Sequence, residues 1–277
     1  MKKSQIDFSK QCTVEELHQI MLRMLTKIDA ICEEENIPYF LIDGTLLGAI
    51  RHEGFIPWDD DVDIAMPRAD YERFIQIASE KLGDDYFVQT IDSDPKYHQF
   101  YIPLKIRDNH STLIEVYGKK HHEGVYIDVF PFDYLTENRE EELKQKKITY
   151  LFGVAKGPVQ FHTFPSIHFF ARILLQMFGR LAPEKWMVAY IRRAIQKNQQ
   201  GTPGEEMIYG FEMPWLNIFK KTDIFPLKKV KFENVSLNVP NNADAVLKNI
   251  FGDYMELPPK DKQLTHAKFY SKERLFR

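Results

Sequence analysis

The chain has 277 residues, of which 44% are hydrophobic and 28% charged, with a formal net charge of −3. At about 150 residues per domain this is one large domain or two small ones, and the composition excludes disordered and fibrous classes. With 37 basic side chains against 40 acidic ones there is no global cationic field, which argues against a nucleic-acid partner.

In chain order, the opening MKKSQIDFSK has no apolar core, so no signal peptide is expected. Thr13-Val-Glu-Glu16 is a capping box. Leu17, Ile20, Met21, Met24, Leu25, Ile28 and Ile31 follow at helical spacing, which predicts an amphipathic helix over about 14–35. Cys12 and Cys32 form neither a metal spacing nor a disulfide framework, and are expected as small apolar side chains on that helix. Tyr39–Ile42 reads as a strand, Gly44 to His52 as a short helix, and Ala69 to Leu82 as a second amphipathic helix. Strands are expected at Tyr86–Thr90, Phe100–Ile106, Thr112–Val116 and Val125–Phe130. His121-His122 reads as an exposed loop. The stretch at about 137–215 has few turn signals and helical periodicity. Residues 225–239 alternate like a hairpin, with Lys220, Lys221, Lys228, Lys229 and Lys231 making a basic stretch, and Asn242 to Phe251 is helical again. No run reaches the ~18 apolar residues of a membrane-spanning helix.

The most informative segment runs from Gly44 to Asp63 and ends in Asp59-Asp60-Asp61-Val62-Asp63. Like charges so close repel unless something cationic neutralises them. Val62, Ile64 and Met66 alternate with Asp61, Asp63 and Ala65, which is strand period, so Asp61 and Asp63 share one face. Two carboxylates on a rigid strand suit Mg²⁺ or Mn²⁺, which prefer hard oxygen ligands. Asp59 and Asp61 form a second Asp-x-Asp pair, so the register is open. A solvated acidic turn and the Asp-x-Asp of a glycosyltransferase are competing readings. A calcium loop counted from Asp59 fails, because Ile64 and Asp70 stand where Gly and Glu are needed. Asp128, alone in the apolar run Val125–Pro131, must be paired or bind metal. Gly44-Thr45 opens a helix just upstream of the acids and offers N–H groups and a hydroxyl to a phosphate.

The block GTLLGAIRHEGFIPWDDDVD at 44–63 closely resembles the signature of the LicD family of phosphorylcholine transferases, with fukutin and fukutin-related protein as distant relatives. The likeness extends to Tyr126–Asp133 and to Phe251–His266. The resemblance implies an α/β (α+β) fold of the DNA polymerase beta type, a nucleotidyltransferase-like mixed sheet with flanking helices. It implies one such domain over 1–277, with a mainly helical insertion at about 137–215. It also implies Asp61, Asp63 and Asp128 as catalytic metal ligands, with Mg²⁺ or Mn²⁺ as cofactor and Asp128 as candidate base. The implied reaction moves phosphorylcholine from CDP-choline to a hydroxyl of a teichoic acid or lipopolysaccharide precursor and releases CMP. Transfer of ribitol phosphate or of a nucleotide, and a non-catalytic donor- or polymer-binding relative, are the alternatives.

Substrate contacts are expected from Gly44, Thr45, Arg51, His52, Trp58, Lys105, Arg107 and His266. Lys105 and Arg107 share a face of the strand Tyr101–Arg107 and would reach phosphate, while Trp58 would stack on a base or on choline. The acceptor is expected to be a glycopolymer or lipid-linked saccharide. Phe161 to Leu181 is a candidate interfacial helix, with core packing as the competing reading. The expected location is the cytoplasm, with peripheral contact at the inner face of the membrane.

Overall fold

The computed structural model describes residues 2–94, 96–97, 104–118, 120–156, 176–177, 179 and 183–276. The candidate interfacial stretch Phe161–Leu181 lies almost wholly outside the described residues, as does the start of the strand expected at Phe100. The chain forms two compact units, Met1–Phe132 with Phe219–Arg277, and Asp133–Ile218.

In the first unit, helix α1 (Val14–Glu34) starts where the capping box predicts. The Thr13 hydroxyl accepts from the Glu16 N–H at 3.2 Å, and the Glu16 carboxylate accepts from the Thr13 N–H at 3.0 Å. Leu17, Ile20, Met21, Met24, Leu25, Ile28, Ile31 and Cys32 are buried along one face. Each such large apolar side chain contributes about 1.5–3 kcal/mol of burial. Cys12 precedes the helix and is only half-buried, which corrects its expected place on it. The N-cap at Thr13 turns the chain before Cys12 can join the helical ladder.

Strand β1 (Phe40–Leu41), helix α2 (Asp43–His52), strand β2 (Asp63–Pro67) and helix α3 (Arg68–Leu82) follow. Strands β3 (Tyr86–Gln89), β4 (Leu104–Asp108), β5 (Thr112–Ile114) and β6 (Tyr126–Tyr134) come next. The sheet order is β1-β2-β6-β4-β3. β2 and β6 are parallel and the other neighbours antiparallel, so the sheet is mixed. One face is apolar: Ile64 stands opposite Val129, Val129 opposite Leu104, and Ile127 opposite Ile106, all fully buried. Alternation then places Asp63, Asp128 and Lys105 on the other face.

The second unit carries α4 (Arg139–Lys156), α5 (Glu184–Asn198) and β7 (Glu206–Tyr209). Its buried Lys146 ammonium donates to the carbonyls of Tyr209, Gly210 and Met213. The chain returns to the first unit through β8 (Ile218–Lys220) and the short α6 (Lys221–Ile224).

The expected hairpin is β9 (Lys228–Phe232) against β10 (Val235–Val239), turned through Glu233 at φ 54°. Its lysines are held at the surface: Lys229 pairs with Glu33, Lys231 with Glu53, and Lys228 donates to the Asn241 carbonyl. Helix α7 (Ala243–Phe251) is capped by the Asn242 side chain. The segment 252–268 leads to β11 (Phe269–Ser271), which pairs with β5.

Candidate active site

Three charged side chains stand in a row across the sheet centre. Asp63 on β2 is the register partner of Asp128 on β6, and Asp128 is the partner of Lys105 on β4. Adjacent strands lie about 4.8 Å apart, so these side chains are neighbours. Lys105 is fully buried, and its ammonium donates to Asp128 Oδ2 at 3.0 Å. It also lies 3.3 Å over the Tyr126 ring. Asp128 Oδ1 lies 2.9 Å from the same ammonium, so both oxygens of this buried carboxylate are ion-paired to Lys105.

The remaining acids sit in the loop between α2 and β2. Asp63 N–H donates to the Thr45 hydroxyl at 2.8 Å, which ties the start of α2 to the start of β2. Gly44 lies under Asp59: a Cβ there would stand 2.8 Å from Asp59 Oδ2. From α1, His18 Nε2 meets the Asp59 carbonyl at 2.8 Å, with its ring stacked on Phe55. Asp60 is buried and meets the C-terminal segment, accepting the Ala267 N–H on Oδ2, with His266 Nδ1 3.4 Å from Oδ1.

This crowding governs protonation. Burial, then the negative charges of Asp59 and Asp60, push the Asp61 carboxyl up to about 7. Burial raises Asp63 well above the ordinary carboxylate range, with Asp61, Asp43 and Asp128 adding to it. Burial also lifts Asp128 to about 7 against the opposing pull of Lys105. Asp60 differs: burial pushes it up, but its bonds to His266 and Ala267 outweigh that and hold it below the usual value. His266, bonded to Asp60 and flanked by acids, is raised to about 9. The carboxylates of the main cluster are thus an all-oxygen donor set whose negative charge exceeds what Lys105 balances, chemistry that fits a hard divalent cation. A tighter group, whose ligand atoms lie within 4.8 Å of one another, is Asp59, Asp60 and His266. There both Asp60 oxygens are already engaged.

Gly44, Thr45, Asp61, Asp63, Asp128, Lys105 and His266 are therefore brought around one region of the first unit. Lys105 is bound to Asp128 instead of being open to phosphate. Arg107 is a correction: it is fully buried, donates to Gln89 at 2.7 Å and to the Gly124 carbonyl at 2.9 Å, and lies over Tyr126. Glu115 also lies 3.7 Å from its guanidinium, so its charge is engaged within the protein. Arg51 donates to the Tyr254 carbonyl at 2.6 Å and touches His52, whose ring meets Trp58 edge-on at 6.4 Å. His121 and His122 are half-buried rather than an exposed pair, because His122 stacks on Phe87 and packs on Phe276.

Asp43, whose charge reaches Asp63, and His18 are site residues that sequence reading missed. The left-handed φ of 48° at Asp43 leaves no pattern in the sequence, and His18 looks like an ordinary polar position on α1.

The family described as LicD/FKTN/FKRP, nucleotidyltransferase domain, matches residues 36–182, about half of the chain. The chain is 28% identical over 282 residues to a Haemophilus influenzae protein named lipopolysaccharide cholinephosphotransferase LicD, covering 93% of this chain and 97% of the relative. An uncharacterised Rickettsia typhi protein is 31% identical over 53% of this chain and 43% of its own length. An uncharacterised Rickettsia prowazekii protein is 39% identical over 30% of this chain and 29% of its own.

Proposed function

The chain belongs to the LicD family, and on that premise we propose that it is a transferase moving phosphorylcholine from CDP-choline to a hydroxyl of a cell-envelope glycan, lipopolysaccharide or teichoic acid. The observation that carries the site assignment is the register pairing of Asp63 with Asp128, with the Asp61 carboxylate in the same cluster. The overall reading is also supported by the full-length similarity to a cholinephosphotransferase.

Asp61, Asp63 and Asp128 would hold Mg²⁺ or Mn²⁺. The bound ion would neutralise the donor diphosphate and the charge that develops on the leaving phosphate. Thr45, whose oxygen accepts from Asp63, keeps its own proton for a phosphate oxygen. Lys105 holds Asp128 in place through both of its oxygens. The acceptor oxygen attacks the choline-bearing phosphorus, the bond to CMP breaks, and the acceptor proton passes to an acid of the cluster, with Asp128 as the candidate base.

Among the described residues no helix is long and apolar enough to cross a membrane. A glycan acceptor carried on lipid then implies work at the inner membrane face by peripheral contact. Calorimetric titration with CDP-choline in Mg²⁺, against CDP-ribitol, CTP and a chelator control, tests the donor. Metal-dependent binding selective for CDP-choline is expected. Selective binding of CDP-ribitol or CTP would replace the choline reading.

A further inference from the structure

We propose that Asp60, the carboxylate of the acidic run whose two oxygens meet the C-terminal segment, is a positioning residue: it fastens the C-terminal segment 252–268 to the acid loop and holds His266 at the rim of the site. The role given to His266 rests on the transferase reading above. The tether itself does not.

Four aspartates fall within five positions, yet they do different work. Asp60 is 3% exposed and both of its oxygens meet the C-terminal segment: Oδ2 accepts from the Ala267 N–H, and Oδ1 lies 3.4 Å from His266 Nδ1. A carboxylate with both oxygens so engaged is a poor metal ligand and a good clamp, because charge-assisted bonds are the strong ones. His266 itself has 79% of its side chain exposed. With Nδ1 turned to Asp60, Nε2 is the nitrogen left to face a bound substrate.

The segment has a second tie to the same stretch of chain. Arg51, nine positions before Asp60, donates to the Tyr254 carbonyl at 2.6 Å. Beyond Ala267, the Lys268 N–H donates to the Ile114 carbonyl at 2.7 Å and β11 enters its pairing with β5. Between the ties at Tyr254 and Ala267 the segment exposes Met255, Leu257 and Leu264 and has little burial to hold it in place. The Tyr254 end is also held by its buried ring and by its hydroxyl, which donates to Asp244 at 3.0 Å, so the Asp60 tie bears chiefly on the end that carries His266. Removing Asp60 releases the end that carries His266, so the variant should behave as though His266 were absent.

The test combines three measurements on the full chain. Amide hydrogen exchange around residue 267 should rise in Asp60→Ala. It should stay close to wild type in His266→Ala and in Asp60→Asn, which keeps an acceptor for the Ala267 N–H. Mg²⁺ affinity should stay within about threefold of wild type in both Asp60 variants, while Asp63→Asn weakens it by about tenfold or more. CDP-choline affinity in Mg²⁺ should fall about tenfold in Asp60→Ala and in His266→Ala, and no further in the double variant, as expected for residues acting as one unit.

Unchanged exchange in Asp60→Ala overturns the tether. Loss of Mg²⁺ binding in Asp60→Asn, to the degree seen in Asp63→Asn, makes Asp60 a metal ligand instead. Additive losses of CDP-choline affinity overturn its action through His266. If wild-type protein does not bind CDP-choline, the donor reading fails, and the exchange and Mg²⁺ measurements still decide the tether. Should Asp60→Ala not fold, Asp60→Asn carries the Mg²⁺ measurement alone, and Asp60→Leu replaces it in the exchange arm.

Discussion

Asp63 and Asp128 lie 65 positions apart in the chain and face one another in register across the parallel pair β2–β6. Neither can move far, since both strands are buried in the middle of the sheet. A rigid pair of carboxylates has no means of escaping its own repulsion except by taking up a proton or a cation.

Replacing Asp63 or Asp128 by Asn should therefore remove activity while leaving the fold in place. Phosphorylcholine transfer to lipopolysaccharide should drop by more than about 100-fold, the scale of losing a group that stabilises transition-state charge. Circular dichroism should be unchanged. Turnover of Asp63→Asn within about tenfold of wild type would remove Asp63 from the catalytic set.

Lys105→Met should destabilise the protein rather than merely inactivate it. It leaves Asp128 buried without its ammonium, and breaking a buried pair from one side costs about 3–5 kcal/mol. Combining it with Asp128→Asn should restore part of that loss in urea unfolding. Full additivity of the two changes would show that the pair does not act as a pair.

Gly44→Ala probes the close approach of Asp59 to α2. The new Cβ would meet Asp59 Oδ2 at 2.8 Å, the free end of a side chain, so the carboxylate can swing aside at small cost to stability. The expected result is a Tm close to wild type with weaker Mg²⁺ binding. A large fall in Tm would mean that the Asp59 carboxylate is held too firmly to move.

His122 should make stability depend on pH below neutrality. Its Nδ1 accepts from the Gly124 N–H, so its proton sits on Nε2, which meets Asn109 Oδ1 at 2.8 Å. Burial, then the charges of Arg107 and Arg274, lower its pKa from 6.5 to about 4. The neutral ring is thus favoured by folding. Its contribution is complete above about 6.5 and is lost as pH falls from there toward about 4. Denaturant unfolding of wild type and His122→Gln between pH 7.5 and pH 4, a range of about three units around that window, should give a difference that shrinks toward acid. A constant difference would place the ring's titration elsewhere.

Much of the scaffold was readable because its signals are local. The Thr13–Glu16 capping box, the apolar stripe from Leu17 to Cys32 and the alternation around Asp63 each lie within a few residues; α1 forms where they predict, while β2 begins only at Asp63, which leaves Asp61 in the preceding loop instead of on the strand. The hairpin of β9 and β10 is legible for the same reason. Arg107 was misread because strand period tells which face a side chain takes, not whether that face is wet. Its face is covered, and a buried guanidinium binds Gln89 and Gly124 rather than phosphate. His121 and His122 were misread similarly, since the rings that cover His122 come from Phe87 and Phe276.

The family resemblance, the acidic run and the candidacy of Asp61, Asp63 and Asp128 are legible along the chain, because side-chain chemistry and short spacing are local; the choice between the Asp59/Asp61 and Asp61/Asp63 pairs is not. That Lys105 is the partner of Asp128, that Asp60 meets Ala267 and His266, and that Asp43 and Asp59 crowd the same site emerges from the folded chain alone. Those relations join residues tens to hundreds of positions apart. They depend on strand register and on which side of a turn a carboxylate leaves, and long-range packing sets both.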